Sequence, residues 1–275
     1  MRTVIGGVLA AALSAAPAFA QSSTGTWNDL PDRFQIDTGY FRMSANTVLR
    51  YNGPRGGSGE VDFEEDLGLD PTVDTFWVDG RWRVGRRHQL QLGFTQSNRE
   101  TQDFKLERDF TWGGQVYNAG LSATTSGDAK ILGGYYRFAI VRNERFEIGP
   151  TVGIGYLWLN ARIAATGTVG GQSRSLDKKA STGSITGAVG GYANAWLARR
   201  LVVSGDFLYI KVTPGESDAS VTDWRVGADY YFLRNVGLGA QYKYNQYSYD
   251  RGVLVSKLGG NITFKGFQAF LTFRF

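Results

Sequence analysis

From residue 34 onward the chain alternates apolar and polar side chains with a period of two. Phe34, Ile36, Thr38 and Tyr40 fall on one face, and Gln35, Asp37 and Gly39 on the other. Phe76, Val78, Gly80, Trp82 and Val84 alternate with Trp77, Asp79, Arg81 and Arg83. The same pattern recurs over 90–94, 132–140, 146–158, 185–195, 201–209, 224–232, 236–244 and 267–275. A period of two is the mark of strands whose faces meet different media. The runs flank four short turns: Gly85-Arg86-Arg87-His88, Val141-Arg142-Asn143-Glu144, Leu197-Ala198-Arg199-Arg200 and Leu233-Arg234-Asn235. Longer polar connections occupy 52–72, 103–128, 167–183, 214–220 and 251–256. This rhythm predicts five hairpin units, hence about ten antiparallel strands, with eight or twelve as the neighbouring counts. The segment Gly59 to Asp70 is a candidate for an extra strand pair at the rim. Near Lys265-Gly266 the alternation changes phase, because Ile262 and Phe264 take the other parity. That predicts a bulge in a long last strand, with a hairpin there as the alternative.

The apolar face ends in aromatic residues on both sides. Trp82, Phe138, Phe146, Trp196, Phe232 and Phe275 lie near the short turns, and Tyr156, Trp158, Tyr209, Trp224 and Tyr244 lie toward the long connections. Two such girdles are what a bilayer with two interfaces selects. The opposite face carries charges in mid-strand: Asp79, Arg81, Arg83, Arg137, Glu147, Asp206, Arg225, Asp229, Lys243 and Arg274. The apolar core of a soluble sandwich could not desolvate so many charges without large cost, whereas an enclosed polar lumen can hold them. Lipid offers backbone groups no partners, so the sheet must close on itself. The expected fold is all-β: a transmembrane, antiparallel, up-and-down β-barrel. With the short turns on the periplasmic side, an even strand count puts both termini there. The mean hydropathy of −0.25 does not argue against this, because lumen and lipid positions cancel in the average.

The first twenty residues read differently. Arg2, an apolar run from Val4 to Leu13 and the small-x-small site Ala18-Phe19-Ala20 form a secretory signal peptide. Residues 21–32 carry no period and read as a flexible lead-in, with Trp27 and Leu30 placed to tuck into the barrel mouth. Residues 33–275 form the barrel domain. Cysteine is absent, which removes disulfides, thiolate metal sites and a cysteine nucleophile. The formal net charge of +5 comes from scattered basic residues without the clustered patch that nucleic acid requires.

The leader, the alternating hairpins and the last strand resemble the outer-membrane β-barrel proteins of Gram-negative bacteria. Phe267, Ala269, Leu271, Phe273 and the final Phe275 are similar to the assembly signal that the barrel-assembly machinery reads in that family. The stretch Val61-Asp62-Phe63-Glu64-Glu65-Asp66-Leu67-Gly68-Leu69-Asp70 resembles a segment that recurs in a group of proteobacterial barrels. The resemblance covers nearly all of the mature chain. It implies residence in the cell outer membrane, contact with outer-membrane lipid and lipopolysaccharide, and the assembly machinery as a partner in biogenesis. It implies no particular reaction. A monomer is expected, and no nucleic-acid partner.

Candidate chemistry is sparse. His88 is the sole histidine and lies in a turn beside Arg86 and Arg87, where a solvated role is expected. Ten-stranded outer-membrane proteases use acidic pairs and an Asp/His pair at the outer mouth, and the position of His88 disfavours that arrangement. A Ser-His hydrolase fails for the same reason. Glu60, Asp62, Glu64, Glu65, Asp66, Asp70 and Asp74 offer oxygen ligands for Ca²⁺ or Mg²⁺, but without EF-hand spacing, and read as a solvated rim. The glycines at 167, 170 and 171 and at 187–191 do not open a helix after a strand, as a nucleotide loop must. No catalytic group, cofactor or metal site is assigned. The near-balanced lumen charges favour an interlocked ion-pair network that closes the pore. The alternative is a narrow passive channel for small polar solutes, for which inward glycines such as Gly93, Gly133, Gly153, Gly227 and Gly239 leave room. The expected role is a non-enzymatic structural or surface-interaction barrel.

Overall fold

The structure, a computed structural model, describes residues 30–52, 58–65, 70–105, 110–112, 115–117, 120, 122–169, 172–212, 217–253 and 256–275. The expected signal peptide over 1–20 and residues 21–29 of the expected lead-in, Trp27 among them, lie outside the described residues. Ten long strands form the wall: β1 Phe34–Asn52, β2 Thr72–Arg83, β3 His88–Lys105, β4 Ser122–Phe138, β5 Phe146–Val169, β6 Gln172–Ala198, β7 Leu201–Val212, β8 Ser217–Tyr230, β9 Val236–Val253 and β10 Ser256–Arg274. Each pairs antiparallel with the next, and β10 pairs with β1, so the sheet closes. At the closing seam Gln35 lies opposite Arg274 and Asn52 opposite Lys257.

The alternation read from the sequence is the alternation of the wall. In β2 and β3, odd residues such as Trp77, Asp79, Gln89 and Gln91 are buried inside, while Trp82, Leu90 and Leu92 are exposed outside. In β6 and β10 the parity reverses, with Ala188, Tyr192 and Gln268 inside and Ile185, Val189 and Phe267 outside. The exterior is a band of exposed apolar side chains. Ile154 is 69 % exposed, Ile185 70 % and Phe267 79 %, an arrangement that water would penalise and hydrocarbon favours. Aromatic rings pair at both margins of the band. Phe34 stacks on Trp82 near the short turns, and Tyr156 meets Trp158 and Trp224 meets Tyr244 farther up.

Several expectations are corrected. The connection expected over 167–183 is strand instead: β5 and β6 pair from Phe146 opposite Ala195 to Val169 opposite Gln172. Most residues there are Ser, Thr, Gly, Lys, Asp, Gln or Arg, and the few apolar ones show no period, but the backbone ladder needs none. Over residues 172–188, among the described residues, β6 pairs with β5 alone, while β5 stays paired with β4 up to Thr166, so the wall is open on the β7 side of this hairpin's far end. Strands likewise take both ends of 103–128, with β3 running to Lys105 and β4 starting at Ser122 and a short ladder of Phe110–Trp112 with Gln115–Tyr117 between them, and most of 251–256, with β9 reaching Val253 and β10 starting at Ser256. The rim segment Ser58–Asp62 folds back onto β1 and adds no stave to the barrel.

The expected bulge near Lys265-Gly266 is also absent. The register of β9 with β10 is unbroken from Val236 opposite Phe273 to Val253 opposite Ser256. Phe264 faces inward, on the same parity as Gln268, Phe270 and Thr272, and packs against Phe41, Met43, Trp77 and Phe270. The sequence changes phase because the interior becomes apolar at that depth. Trp196, expected in a girdle, is buried inside with Leu30, Val202 and Tyr231. Phe275 is 9 % exposed instead of lipid-facing, its carbonyl accepting from the Arg33 and Phe34 amides at 3.1 and 2.8 Å.

Candidate functional site

The interior of the barrel holds the chemistry-bearing side chains, and inward parity delivers them from every strand. Nearest the short turns, Leu30 of the lead-in packs on Trp196, Val202 and Tyr231 as an apolar stopper. Above it lies a layer of charge. Arg137 and Glu147 are fully buried. Glu147 Oε2 accepts from Arg83 Nη2 at 2.7 Å and lies 3.3 Å from Arg142 Nε. Its Oε1 accepts from Gln89 Nε2 at 2.8 Å and from the Tyr192 hydroxyl at 2.9 Å. Arg83 also meets Asp32 at 2.8 Å. The Arg137 guanidinium lies 3.9 Å over the Tyr192 ring and pairs with Asp206.

The remaining charges knit the walls together. Arg225 donates from Nε to Asp206 Oδ2 at 3.0 Å and from Nη1 to Asp79 Oδ2 at 2.7 Å. Arg81 pairs with Asp37, whose Oδ1 also accepts from Thr272 Oγ1 at 2.6 Å and from Gln35 Nε2 at 2.9 Å. Buried charges cost several kcal/mol each unless their remaining polar atoms are matched, and these carboxylates are matched on several sides. Lys243 lies 3.5 Å from Asp223, which also accepts from Asn245 at 2.7 Å. Among the described residues no ion pair involves Asp229 or Arg274. Arg274 donates to the Tyr231 hydroxyl at 2.7 Å, and Asp229 Oδ1 has no hydrogen-bond partner.

Of the ten residues selected from sequence, the structure thus brings eight into ion pairs and leaves two in other contacts. Charge patterning missed Asp223, which shares the inward parity of Arg225, and the neutral members Gln35, Gln89, Tyr192 and Thr272. Those four carry no charge to mark them, although parity places each on the inner face.

Several inward glycines face large neighbours. A Cβ at Gly133 or Gly153 would strike the Tyr135 ring, and one at Gly239 would strike Phe270 and Asp229. Large neighbours already occupy the space that glycine vacates. Farther from the short turns Phe41, Met43, Trp77 and Phe270 form a buried cluster on the inner face, with Trp77 edge-on to Phe270 at 5.3 Å. At the short-turn mouth a cavity of about 20 Å³ lies among Arg81, Arg83, Arg274, Gln35 and Gln89, room for about one water.

The acidic rim is built from matched pairs. Glu60 meets Arg50 at 2.8 Å, Glu64 meets Arg99 at 2.6 Å and Asp74 meets Arg42 at 2.9 Å. Asp62 accepts from the Glu64 and Glu65 amides at 3.0 Å each and from Asn46 at 2.9 Å. Asp66 lies outside the described residues. Among the described residues no cluster of three or more His, Asp or Glu groups is arranged to hold a metal ion. His88 begins β3 instead of lying in the turn, faces outward, and its Nδ1 is 2.6 Å from the Tyr136 hydroxyl. It sits tilted against the Phe138 ring at 5.3 Å, as part of the aromatic belt.

No protein-family model and no curated protein sequence matches the chain. Among solved structures, the outer membrane protease OmpT from Escherichia coli is similar over 89 % of this chain and 97 % of its own, with a TM-score of 0.53 at 12 % identity. The translocator domain of autotransporter NalP from Neisseria meningitidis matches over 98 % of this chain and 95 % of its own, at TM-score 0.47 and 13 % identity. The Pseudomonas putida toluene transporter TodX matches over 89 % and 90 %, at TM-score 0.36 and 9 % identity. At such identities the likeness is one of fold. The OmpT match and the lipid-facing exterior agree on a closed barrel of the outer-membrane type.

Proposed function

We propose that this outer-membrane β-barrel is a closed, non-enzymatic element of the cell envelope, oriented with both termini in the periplasm and its long hairpins facing outward to meet surface ligands. The observation that carries the reading is the cross-lumen network in which Arg225 holds Asp79 and Asp206 together. A passive channel would need that crossing to part, with the Trp77–Phe270 layer above it and the Leu30 stopper below it. The non-enzymatic reading is supported by the position of His88, on the lipid side of the wall and at the end opposite the long hairpins. Outer lipid and lipopolysaccharide are the surroundings expected of the hairpins, and a monomer suffices because the closed sheet leaves no stave unpaired through the wall.

Liposome swelling tests this reading. Vesicles carrying the refolded barrel should swell in iso-osmotic small sugars or amino acids no faster than empty vesicles. Swelling that depends on the protein and falls with solute size would favour the narrow channel instead. Hydrolysis of a peptide or lipid substrate, abolished by one substitution on the long hairpins, would overturn the non-enzymatic part.

A further inference from the structure

The end of the barrel that carries the short turns repeats one small device. Each turn sets an exposed bulky apolar side chain one or two residues before arginine: Val84 before Arg86 and Arg87, Val141 before Arg142, Leu197 before Arg199 and Arg200, and Leu233 before Arg234. At the closing seam Arg33 precedes the exposed Phe34. A ten-stranded barrel has five such stations at this end, and all five carry the pair. Arg33, Arg86, Arg87, Arg145, Arg199 and Arg234 are exposed. Arg142 is engaged by Asp32 and Glu147, and Arg200 donates to the Phe232 carbonyl at 3.2 Å.

The charge is sorted as well as repeated. Over 31–33, 84–88, 139–145, 198–200 and 231–235 the chain has eight arginines against two acids, Asp32 and Glu144. That excess of six exceeds the formal +5 of the entire chain. None of the eight lysines of the sequence falls in these turns. Guanidinium differs from ammonium in presenting a planar fork that grips two phosphate oxygens at once and gives up its water more readily. The neighbouring apolar side chains and the rings of Trp82, Phe138 and Phe232 fix the depth of the collar at the margin of the hydrocarbon band, where headgroup phosphates lie.

We propose that this arginine collar is a binding surface for the phosphates of anionic phospholipid headgroups in the leaflet that the short turns enter. The proposal rests on the reading that the barrel spans a membrane. The collar draws anionic lipid into the first lipid shell, where an apolar residue at each station anchors the acyl boundary while an exposed arginine of the same station, Arg145 at the turn of Arg142, reaches the headgroup. Attraction of this kind falls with ionic strength, because the Debye length shrinks from about 10 Å at 0.1 M to about 3 Å at 1 M salt.

The test uses the full barrel refolded into nanodiscs of phosphatidylcholine carrying a minority of phosphatidylglycerol. Spin-labelled forms of the two lipids report the motionally restricted first shell. Wild type should prefer the phosphatidylglycerol label by at least about threefold at low salt, and the preference should shrink at high salt. The variant R86Q/R87Q/R199Q/R234Q should fall close to parity while keeping the heat-modifiable electrophoretic mobility of a folded barrel. The control K178Q/K179Q, on the β5–β6 hairpin, should keep the wild-type ratio. Parity in wild type, an unchanged ratio in the arginine variant, or an equal loss in the lysine control would overturn the collar. Failure to insert into pure phosphatidylcholine discs would overturn the membrane-spanning reading itself, and insertion with parity would overturn the collar alone.

Discussion

Arg225 reaches across the lumen to Asp79: Nη1 donates to Oδ2 at 2.7 Å although β8 and β2 stand four strands apart around the ring. A side chain spans that gap because a ten-stranded barrel is narrow. The same guanidinium donates from Nε to Asp206 at 3.0 Å, so one arginine ties three staves.

Removing that tie should be costly. Arg225→Ala leaves Asp79 without its ion-pair partner and Asp206 with Arg137 alone, and a buried charge stripped of its partner costs about 3–5 kcal/mol. Urea unfolding in lipid vesicles should show a loss of that order. Replacing Arg225 and Asp79 together should cost less than the sum of the single losses, because their coupling is counted twice in that sum. Additive losses would mean that the contact carries no coupling.

The outer face makes a depth-dependent claim. Val226 is 53 % exposed on the lipid side, between inward Arg225 and Gly227. Val226→Arg should cost about 2–4 kcal/mol if the position lies near the bilayer midplane. Thr222→Arg, beyond the Trp224 ring on the same face, should cost less than about 1 kcal/mol near the interface. Equal costs at both positions would count against the assigned band.

Two glycines of β6 should behave oppositely. A Cβ at Gly190 would run into the backbone carbonyl of Phe207, whereas one at Gly187 meets nothing within 4 Å. Backbone cannot move aside as a flexible side chain can, so Gly190→Ala should destabilise by about 1–3 kcal/mol. Gly187→Ala should stay within about 0.5 kcal/mol of wild type. Similar midpoints for the two variants would show that the β6–β7 approach is looser than the structure has it.

The acidic rim gives a pH dependence. Hydrogen bonds from the Thr72 hydroxyl and amide hold the Asp70 carboxyl below its usual value. Asp62 is pushed up by partial burial, but the Glu65 amide, Asn46 and the Glu64 amide together bring it below the usual value. A depressed carboxylate contributes stability above its unfolded pKa and loses it as pH falls through the folded one. Exchange protection of the Glu64 and Glu65 amides should therefore hold from neutral pH down to about 4 and fall below that. Loss of protection already near pH 6 would contradict the assigned partners.

Much of the wall was legible because lipid and lumen impose opposite demands on alternate residues. Asp79, Arg81 and Arg83 could be placed inside from Val78, Gly80 and Trp82 outside, and the four arginine-bearing turns set the strand count. What stayed hidden follows from where those demands lapse. At the far end of the β5–β6 hairpin, where 172–188 has β5 as its one described neighbour, polar residues occupy both faces and no period marks the strand. Phe264 and Ile262 looked out of phase because parity was assigned by polarity, and there the lumen is apolar. Trp196 was misplaced for the same reason. The pairings across the bore, such as Arg225 with Asp79, depend on which strands face each other there, and alternation along one strand carries no such information.

The closed lumen is tested most directly by single-channel recording on the refolded protein in planar bilayers. Wild type should give no steps above baseline, while a variant that removes the cross-lumen tie, its apolar layer and the stopper, Arg225→Ala with Trp77→Ala, Phe270→Ala and Leu30→Ala, should give steps. Regular conductance steps from the wild-type barrel would contradict the closed interior and move the protein to the channels.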